Sequence, residues 1–218
     1  MEHVTETDGL VLDDVQIRLG DRVLVALDAR VRRGETLTVM GPSGSGKSTL
    51  LAYLGGFLDP AFSASGRVAV DGVDLTALAA ERRHAGILFQ DPLLFPHLSV
   101  LENIAIAIPE DIRGRRQRRQ LALAALEDAD LADFGSRDPD TLSGGQKARV
   151  ALQRVLVSHP RILLLDEPFS KLDADLREQT RQLVFDRARR AGLPVVLVTH
   201  DEDDARAAGG QLHRVGRP

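Results

Sequence analysis

The 218-residue chain contains no cysteine. This absence excludes a disulfide framework and any metal site built on thiolates, and it fits a reducing compartment. Long apolar runs are also missing, because the longest candidate, residues 50–58, includes two glycines. A membrane-spanning helix needs about 18 or more mostly apolar residues. We therefore expect that the chain does not cross a bilayer and that any work at a membrane requires an integral partner.

An excess of positive charge is absent too. Lys and Arg number 28 against 32 Asp and Glu, which gives a net charge of -4. Because proteins that neutralise nucleic-acid backbones are usually basic, the balance gives no support for a DNA or RNA partner. The first ten residues, MEHVTETDGL, lack a basic segment followed by an apolar one, so we expect no secretory signal there. The share of apolar residues, 43%, suits a globular core.

Strand and helix signals alternate along the chain, which is typical of an α/β fold. Strands are predicted at residues 10–17, 23–31, 36–40 and 66–70, and helices at 50–58, from 149 onward and at 176–190. Leu and Ala at helical spacing between about 98 and 132, with breaks at Pro109 and Gly114, predict a helical subdomain. Two continuous apolar runs, 162–165 and 195–199, predict parallel strands that are covered on both faces.

Residues 41–49, GPSGSGKST, match the phosphate-loop pattern GxxxxGK[ST] between a predicted strand and a predicted helix. The glycines allow backbone N–H groups to face phosphates, and the helix N-terminus adds partial positive charge. Lys47, one of only three lysines, is expected to reach the β- and γ-phosphates, and the Ser48 hydroxyl to bind Mg²⁺. The predicted nucleotide-binding residues are Gly41, Pro42, Ser43, Gly44, Ser45, Gly46, Lys47, Ser48 and Thr49.

Polar residues follow three predicted strands. Asp166 and Glu167 end the run at 162–165, at the strand end where α/β sheets place ligands. We expect Asp166 to hold Mg²⁺ through water and Glu167 to orient or deprotonate an attacking water. His200 follows the strand at 195–199 and is expected to bind the γ-phosphate and fix that water. Gln90 ends a third run, residues 87–90 (ILFQ), and is expected to contact Mg²⁺ and the water. Each residue alone also fits an ordinary structural role.

The most specific motif is LSGGQ, whose chance occurrence in a chain of this length is well under about 1 in 1,000. It is formed by Leu142, Ser143, Gly144, Gly145 and Gln146. With the other motifs in order, it makes essentially the whole chain resemble the ATP-binding cassette (ABC) ATPases. The resemblance implies a P-loop NTPase with a RecA-like core, an antiparallel β subdomain and an inserted α-helical subdomain. It also implies ATP and Mg²⁺ as cofactors.

The same resemblance implies a head-to-tail dimer of two ATPase subunits. Ser143, Gly144 and Gly145 would face the γ-phosphate held by the other subunit's Lys47, and Asp173 of the D-loop, residues 170–173, would meet the partner's phosphate loop. We expect one domain over residues 1–218, with a core of about 1–94 and 150–218 and a helical subdomain of about 95–149. Because only residues 201–218 follow His200, no regulatory domain is expected at the C-terminus.

Residues 90–103, QDPLLFPHLSVLEN, and 166–177, DEPFSKLDADLR, look most like importer ATPases of the thiamine, polyamine, iron and sulfate group. In that group the segment after Gln90 receives a permease helix, and the apolar Leu93, Leu94, Phe95 and Leu98 suit such a groove. The alternative is that they only cap the helical subdomain. The implied partners are membrane permease subunits and, indirectly, a substrate-binding protein, with the chain peripheral to the cytoplasmic face of the cell membrane and no nucleic acid bound.

Three further features stand out, and the first two depart from the usual family pattern. Leu19 stands where the family usually has an aromatic that stacks on adenine, so we expect weaker nucleotide binding and a looser preference for ATP over GTP. The turn at residues 59–66 is slightly longer than usual. The third feature is a basic run formed by Arg113, Arg115, Arg116, Arg118 and Arg119. Such a run is typical of a solvated face, and the alternative interpretations are a contact with acidic lipid or with a permease loop.

The alternatives to an importer ATPase are two other functional classes. A soluble ABC ATPase of repair or chromosome maintenance carries long coiled coils, and the segment between Lys47 and Leu142 is too short for them; translation types carry two cassettes in one chain. A non-catalytic nucleotide-binding scaffold would be expected to lose Glu167 or His200, and both are present. The basal ATPase activity of a Glu167→Gln variant separates these classes.

Overall fold

The computed structural model describes residues 8–216. Residues 1–7, for which no secretory signal is expected, lie outside this range. The described chain forms two units: one contains the residues up to Ile87, Arg161–Glu167 and those from Phe185 onward, and the other contains Leu88–Pro160 and Pro168–Val184. The subdomain bounds expected from the sequence stay a prediction.

The strands and helices alternate as the sequence pattern indicates. In chain order they are β1 Leu10–Leu19, β2 Arg22–Val31, β3 Thr36–Met40, α1 Lys47–Gly55, β4 Phe62–Val70, β5 Val73–Asp74, α2 Ala80–Arg83, β6 Ala85–Leu88, α3 Val100–Ala105, α4 Arg115–Asp128, α5 Gly144–Leu156, β7 Ile162–Asp166, α6 Ala174–Arg190, β8 Val195–Thr199, α7 Glu202–Ala208 and β9 Gln211–Arg214, with short 3-10 turns at Ala132–Phe134 and Pro139–Thr141.

Two sheets build the first unit. The four-stranded sheet has the order β2-β1-β4-β5, and its paired strands run antiparallel. The five-stranded sheet has the order β6-β7-β8-β3-β9, in which β7, β8, β3 and β9 are parallel. The α/β class and the parallel pairing of the two late apolar runs are thus confirmed. Parallel strands align their carboxyl ends, which brings residues 41, 166 and 200 to one edge of the sheet.

The ends of several elements differ from the sequence prediction for local reasons. The helix predicted to reach residue 58 ends at Gly55, because Gly56 adopts a left-handed φ of 85° and its N–H bonds back to the last turn. The helix predicted from residue 149 begins at Gly144, because Ser143 and Gln146 form a capping box. Strand β4 begins at Phe62, four residues earlier than predicted.

Each unit has its own apolar core. The first unit buries a cluster that includes Leu12, Ile17, Leu50, Leu164 and Val198, drawn from both sheets and from α1. The second unit buries a separate cluster from α3, α4 and α5. No helix within residues 8–216 is both long enough and apolar enough to cross a membrane.

Candidate phosphate-binding site

The loop between β3 and α1 closes around the side chain of Lys47. This lysine is the first residue of α1 and is only 6% exposed. Its Nζ donates hydrogen bonds to the carbonyl oxygens of Gly41, at 2.8 Å, and Pro42, at 2.9 Å. An ammonium group has three N–H donors. Two of them hold the loop in shape, so the third can serve an anionic acceptor.

The N-terminus of α1 is open toward this loop. Its N-cap is Gly46, whose φ of 91° disfavours any residue with a side chain and which makes no side-chain cap. The first-turn N–H groups therefore lack a capping partner and can bind an anion. Ser45 Oγ is buried and has no hydrogen-bond partner among the described residues. Unsatisfied buried polar groups are costly, so an oxygen-rich ligand such as phosphate suits the loop.

A cavity of about 470 Å³ opens over the loop. This volume lies within the range of small-molecule sites, about 300–1,000 Å³. One wall consists of Ser43, Gly44, Gly46, Lys47, Ser48, Thr49 and Glu167, and the other of Leu19, Arg22, Leu24 and Phe62. The cavity therefore joins a cationic, donor-rich wall to a largely apolar one. The sequence predicted the first wall, but it gave no role to Arg22, Leu24 or Phe62.

Ser48 and Asp166 meet below the loop. Ser48 Oγ donates a hydrogen bond to Asp166 Oδ1 over 3.2 Å. Burial raises the pKa of the Asp166 carboxyl group, and the hydrogen bond from Ser48 opposes that shift. A hydroxyl and a carboxylate are hard oxygen ligands of the type that Mg²⁺ prefers. The two residues that the sequence predicts as metal ligands thus lie next to each other in the first unit.

Glu167 and His200 form the second polar pair. His200 Nδ1 lies 3.1 Å from Glu167 Oε1, and the exposed fractions of the two side chains are 62% and 25%. The backbone of Glu167 has a left-handed φ of 46°, and its N–H donates to the carbonyl oxygen of Val198 at 3.0 Å. Non-glycine residues in this conformation cost of order 1–3 kcal/mol and concentrate at functional sites. Glu167 is also part of the lining of the cavity over the Lys47 loop.

The remaining predicted residues belong to the second unit. Gln90 is exposed and lies two residues beyond the end of β6. In the same unit, the side chains of Lys171 and Asp91 form an ion pair. Asp173 Oδ1 accepts a hydrogen bond from Leu176 N at 3.0 Å, which caps the start of α6. The D-loop aspartate therefore has a structural role of its own, and its meeting with a partner subunit stays a prediction.

Some residues of the LSGGQ motif are buried and others are exposed at the start of α5. Leu142 is part of the core of the second unit. Ser143 N donates to Gln146 Oε1 at 2.9 Å, and Ser143 Oγ accepts from Gln146 N at 3.3 Å. Gln146 thus serves the cap of α5, while Ser143 and Gly144 are exposed at the helix N-terminus. Gly145 is buried, and a Cβ there would lie 2.3 Å from Leu176 Cδ1.

The basic run contains one arginine that is not part of a solvated face. Arg118 donates to four backbone carbonyl oxygens, those of Ala105, Ile108, Pro109 and Ile112, at 2.8 to 3.2 Å. It therefore ties the end of α3 to the start of α4. The other members are exposed, namely Arg113, Arg115, Arg116 and Arg119.

Residues 91–98 of the second unit, called the docking loop below, are braced from two sides. Arg154 donates to the carbonyl oxygens of Leu93, at 2.8 Å, and Pro92, at 2.9 Å, and its guanidinium carbon lies 5.6 Å from the centre of the Phe95 ring. Burial lowers the pKa of Arg154. The fully buried Asn103 accepts from Phe95 N at 2.7 Å and donates to Phe95 O at 3.0 Å.

The braced loop exposes only part of the apolar set that the sequence singled out. Leu93 is 57% exposed and Phe95 is 40% exposed, and Leu93 has a left-handed φ of 46°. Leu94 instead packs against the core of the second unit. A surface that receives another protein here would therefore rest on Leu93 and Phe95.

Comparison with protein families and with known proteins gives a consistent result. The family model described as ABC transporter matches residues 24–170. The uncharacterized ABC transporter ATP-binding protein YnjD of Escherichia coli K12 is 45% identical over 93% of this chain and 94% of its own length. The thiamine import ATP-binding protein ThiQ of Cereibacter sphaeroides is 45% identical over 90% of this chain and 84% of its own.

Some relatives are longer than this chain. The Fe(3+) ions import ATP-binding protein FbpC 1 of Haemophilus influenzae is 39% identical over 96% of this chain but only 63% of its own length. Among solved structures, the dimeric post-hydrolysis state of the ATP-binding cassette MJ0796, bound to ADP and Pi, has a TM-score of 0.76 and 34% identity over 94% of both chains. The fold predicted from the sequence, an ABC-type P-loop ATPase, is confirmed.

Proposed function

Since the chain belongs to the ABC transporter family of ATP-binding proteins, we propose that it is the ATP-hydrolysing subunit of a bacterial-type importer that works against membrane permease subunits. The observation that carries the proposal is the sheet edge that joins the Lys47 loop, the Ser48–Asp166 pair and the Glu167–His200 pair within one unit. Import is supported by relatives named for the import of thiamine and iron. ATP binding and hydrolysis follow from family membership.

In the proposed reaction the phosphates lie on the Gly41–Thr49 loop. Lys47 and the first-turn N–H groups of α1 neutralise their charge. Glu167 accepts the proton of the attacking water, and His200, whose Nδ1 lies beside the Glu167 carboxylate, would bind the γ-phosphate and fix that water. Because Lys47 is already fixed by two carbonyl oxygens, little reorganisation is needed when ATP binds.

The Ser48 hydroxyl and the Asp166 carboxylate fit a bound Mg²⁺. When bound, this ion would neutralise charge on the β- and γ-phosphates. The protein's contribution is to hold two oxygen ligands within 3.2 Å of each other at the end of β7. Ser48 supplies the hydroxyl from the first turn of α1, so the metal ligand and the phosphate-binding N–H groups share one rigid element.

The proposed functional unit is a homodimer in which the LSGGQ motif acts across the interface. Ser143 and Gly144 are exposed at the N-terminus of the 13-residue helix α5, which suits contact with a phosphate of another subunit. The capping box formed by Ser143 and Gln146 fixes the direction of that terminus. ATP held between two subunits would join them, and hydrolysis would release them. The dimeric MJ0796 cassette supports this arrangement.

The proposed partners beyond the second ATPase are permease subunits and, indirectly, a substrate-binding protein, with the chain peripheral to the cytoplasmic face of the cell membrane. The docking loop supports the permease contact. Its backbone is held by Arg154 and Asn103, both within the chain itself. A strained, exposed leucine on a braced loop is a preorganised apolar contact for a partner helix.

Replacement of both Leu93 and Phe95 by Glu should abolish coupling to the permease. We expect transport to fall at least about tenfold, because two charges would replace the apolar contact at its centre. ATP hydrolysis by the isolated chain should change less than about twofold, because neither side chain lines the cavity. Transport is measured in vesicles that contain the permease co-purified with the chain.

The matched control is Ile106→Glu, which places one charge at an equally exposed apolar position outside the docking loop, 56% exposed. It should transport as the unchanged protein does. Full transport by the Leu93→Glu, Phe95→Glu variant would contradict the docking role of this loop.

A further inference from the structure

Two departures noted in the sequence, Leu19 and the long turn at residues 59–66, meet in the structure. Strand β4 begins at Phe62 and pairs with β1 up to its last residue, so Phe62 lies directly across from Leu19. The longer turn therefore does not form a free loop. It extends β4 along β1 to the rim of the cavity that also contains Lys47.

The position of Phe62 is fixed by the turn that precedes it. Asp59 Oδ1 accepts a hydrogen bond from Ala61 N at 2.8 Å, and Asp59 O accepts from Phe62 N at 2.9 Å. The ring is half-buried and packs partly against the core of the first unit. Such a ring presents one part to the cavity at little entropic cost, because its packing already restricts its rotamers.

The apolar wall of the cavity has the composition of a base-binding surface. Among the described residues that line the cavity, Phe62 is the one aromatic. Leu19, 46% exposed, lies beside it, and Leu24 completes the apolar contact. Phosphate-binding groups line another part of the same cavity. A nucleotide whose phosphates lie on the Lys47 loop would therefore reach this apolar wall with its base.

We propose that Phe62 stacks on the base of the bound nucleotide and so replaces the aromatic that position 19 lacks. This inference rests on the proposed ATPase function. Base–aromatic stacking tolerates every base, since each base has a π face. Phe62 thus restores the affinity that Leu19 alone would lose. The looser preference for ATP over GTP remains, because Leu19, Leu24 and Phe62 have no hydrogen-bonding side-chain group. Arg22, which lines the same part of the cavity, has only N–H donors, and these suit the N7 acceptor that both purines carry.

The test compares Phe62→Leu and Phe62→Ala with the unchanged protein by isothermal titration calorimetry against ADP and against inorganic tripolyphosphate. Phe62→Leu keeps an apolar side chain on the core and removes only the ring. We expect the Kd for ADP to rise at least about fivefold in both variants, because base stacking is lost. The Kd for tripolyphosphate, which has no base, should change less than about twofold. Addition of Leu19→Tyr to Phe62→Leu should restore ADP binding.

Phe57→Ala is the control, because Phe57 is another phenylalanine of the same unit, 47% exposed, that does not line the cavity. It should bind ADP as the unchanged protein does. Unaltered ADP affinity in Phe62→Leu overturns the inference, as does an equal loss of affinity for ADP and tripolyphosphate. If the unchanged protein binds tripolyphosphate but neither ADP nor ATP, the proposed function itself fails.

Discussion

Glu167→Gln should lower the ATPase rate by about 10²–10⁴-fold, the range expected for loss of a general base. The Glu167 carboxylate lines the phosphate cavity, and His200 Nδ1 lies 3.1 Å from it. Glutamine has the same shape and can still accept a hydrogen bond from His200 through its amide oxygen, but it cannot take a proton from water. ATP binding should therefore persist, and the variant should accumulate as an ATP-bound dimer. Phosphate release and size-exclusion chromatography with ATP measure the two effects.

Glu202→Gln is the control for this substitution. Glu202 lies just beyond β8 on α7, where its carboxylate accepts a hydrogen bond from Arg214 at 2.9 Å, and it does not line the phosphate cavity. The same chemical change there should leave the ATPase rate unaltered within about twofold. Equal rates of phosphate release for Glu167→Gln and the unchanged protein would favour a nucleotide-binding scaffold over an ATPase that uses this residue.

Gly145→Asp should reduce ATP hydrolysis at least about 100-fold, comparable with loss of a preorganised donor to a reacting anion. A Cβ at this position would lie 2.3 Å from Leu176 Cδ1, so either the Leu176 side chain or the start of α5 must shift. The new carboxylate would also repel a phosphate at the helix N-terminus. Because the residues proposed to bind ADP within the same subunit belong to the first unit, ADP affinity should stay within about twofold. Hydrolysis assays and ADP titrations separate the two effects.

Gly114→Asp is the control for Gly145→Asp, because it makes the same substitution elsewhere in the second unit. Gly114 is the N-cap of α4 with an ordinary φ of -78°, and the nearest atom to an added Cβ is 3.5 Å away. Asp is a favoured N-cap residue, so this variant should fold and hydrolyse ATP normally. A Gly145→Asp variant that hydrolyses ATP at the unchanged rate would remove the LSGGQ motif from the proposed active site, whereas loss of ADP affinity would reveal misfolding.

Much of the site was predictable because its signals are local in the sequence. The spacing of Gly41 to Thr49 between a buried strand and a helix predicted the phosphate loop, and the structure describes that loop between β3 and α1. The apolar runs before Asp166 and His200 predicted buried parallel strands, since such runs form where both faces of a sheet are covered. Alignment of parallel strands at their carboxyl ends then brings Asp166, Glu167 and His200 to one edge.

Contacts between distant segments were not predictable in this way. The LSGGQ string that identified the family does not reveal that Leu176, from a later helix, packs on Gly145. The basic run predicted a solvated face, yet Arg118 donates to four carbonyl oxygens between α3 and α4. Arginine is compatible with either environment, and only the position of neighbouring carbonyl groups decides between them.

The sequence by itself determined the family, the chemistry and the order of the motifs, because each motif is a short run whose residue types satisfy local needs of phosphate binding, capping or strand burial. The tertiary structure decided the geometry that no short run contains. It gave Glu167 a left-handed backbone conformation and paired Phe62 with Leu19. It also left Leu93 exposed while Leu94 packs on the core. The physical reason is strand register, which determines that Phe62 pairs with Leu19. This register depends on a turn some forty residues from Leu19 along the chain and on the apolar core that β1 and β4 share.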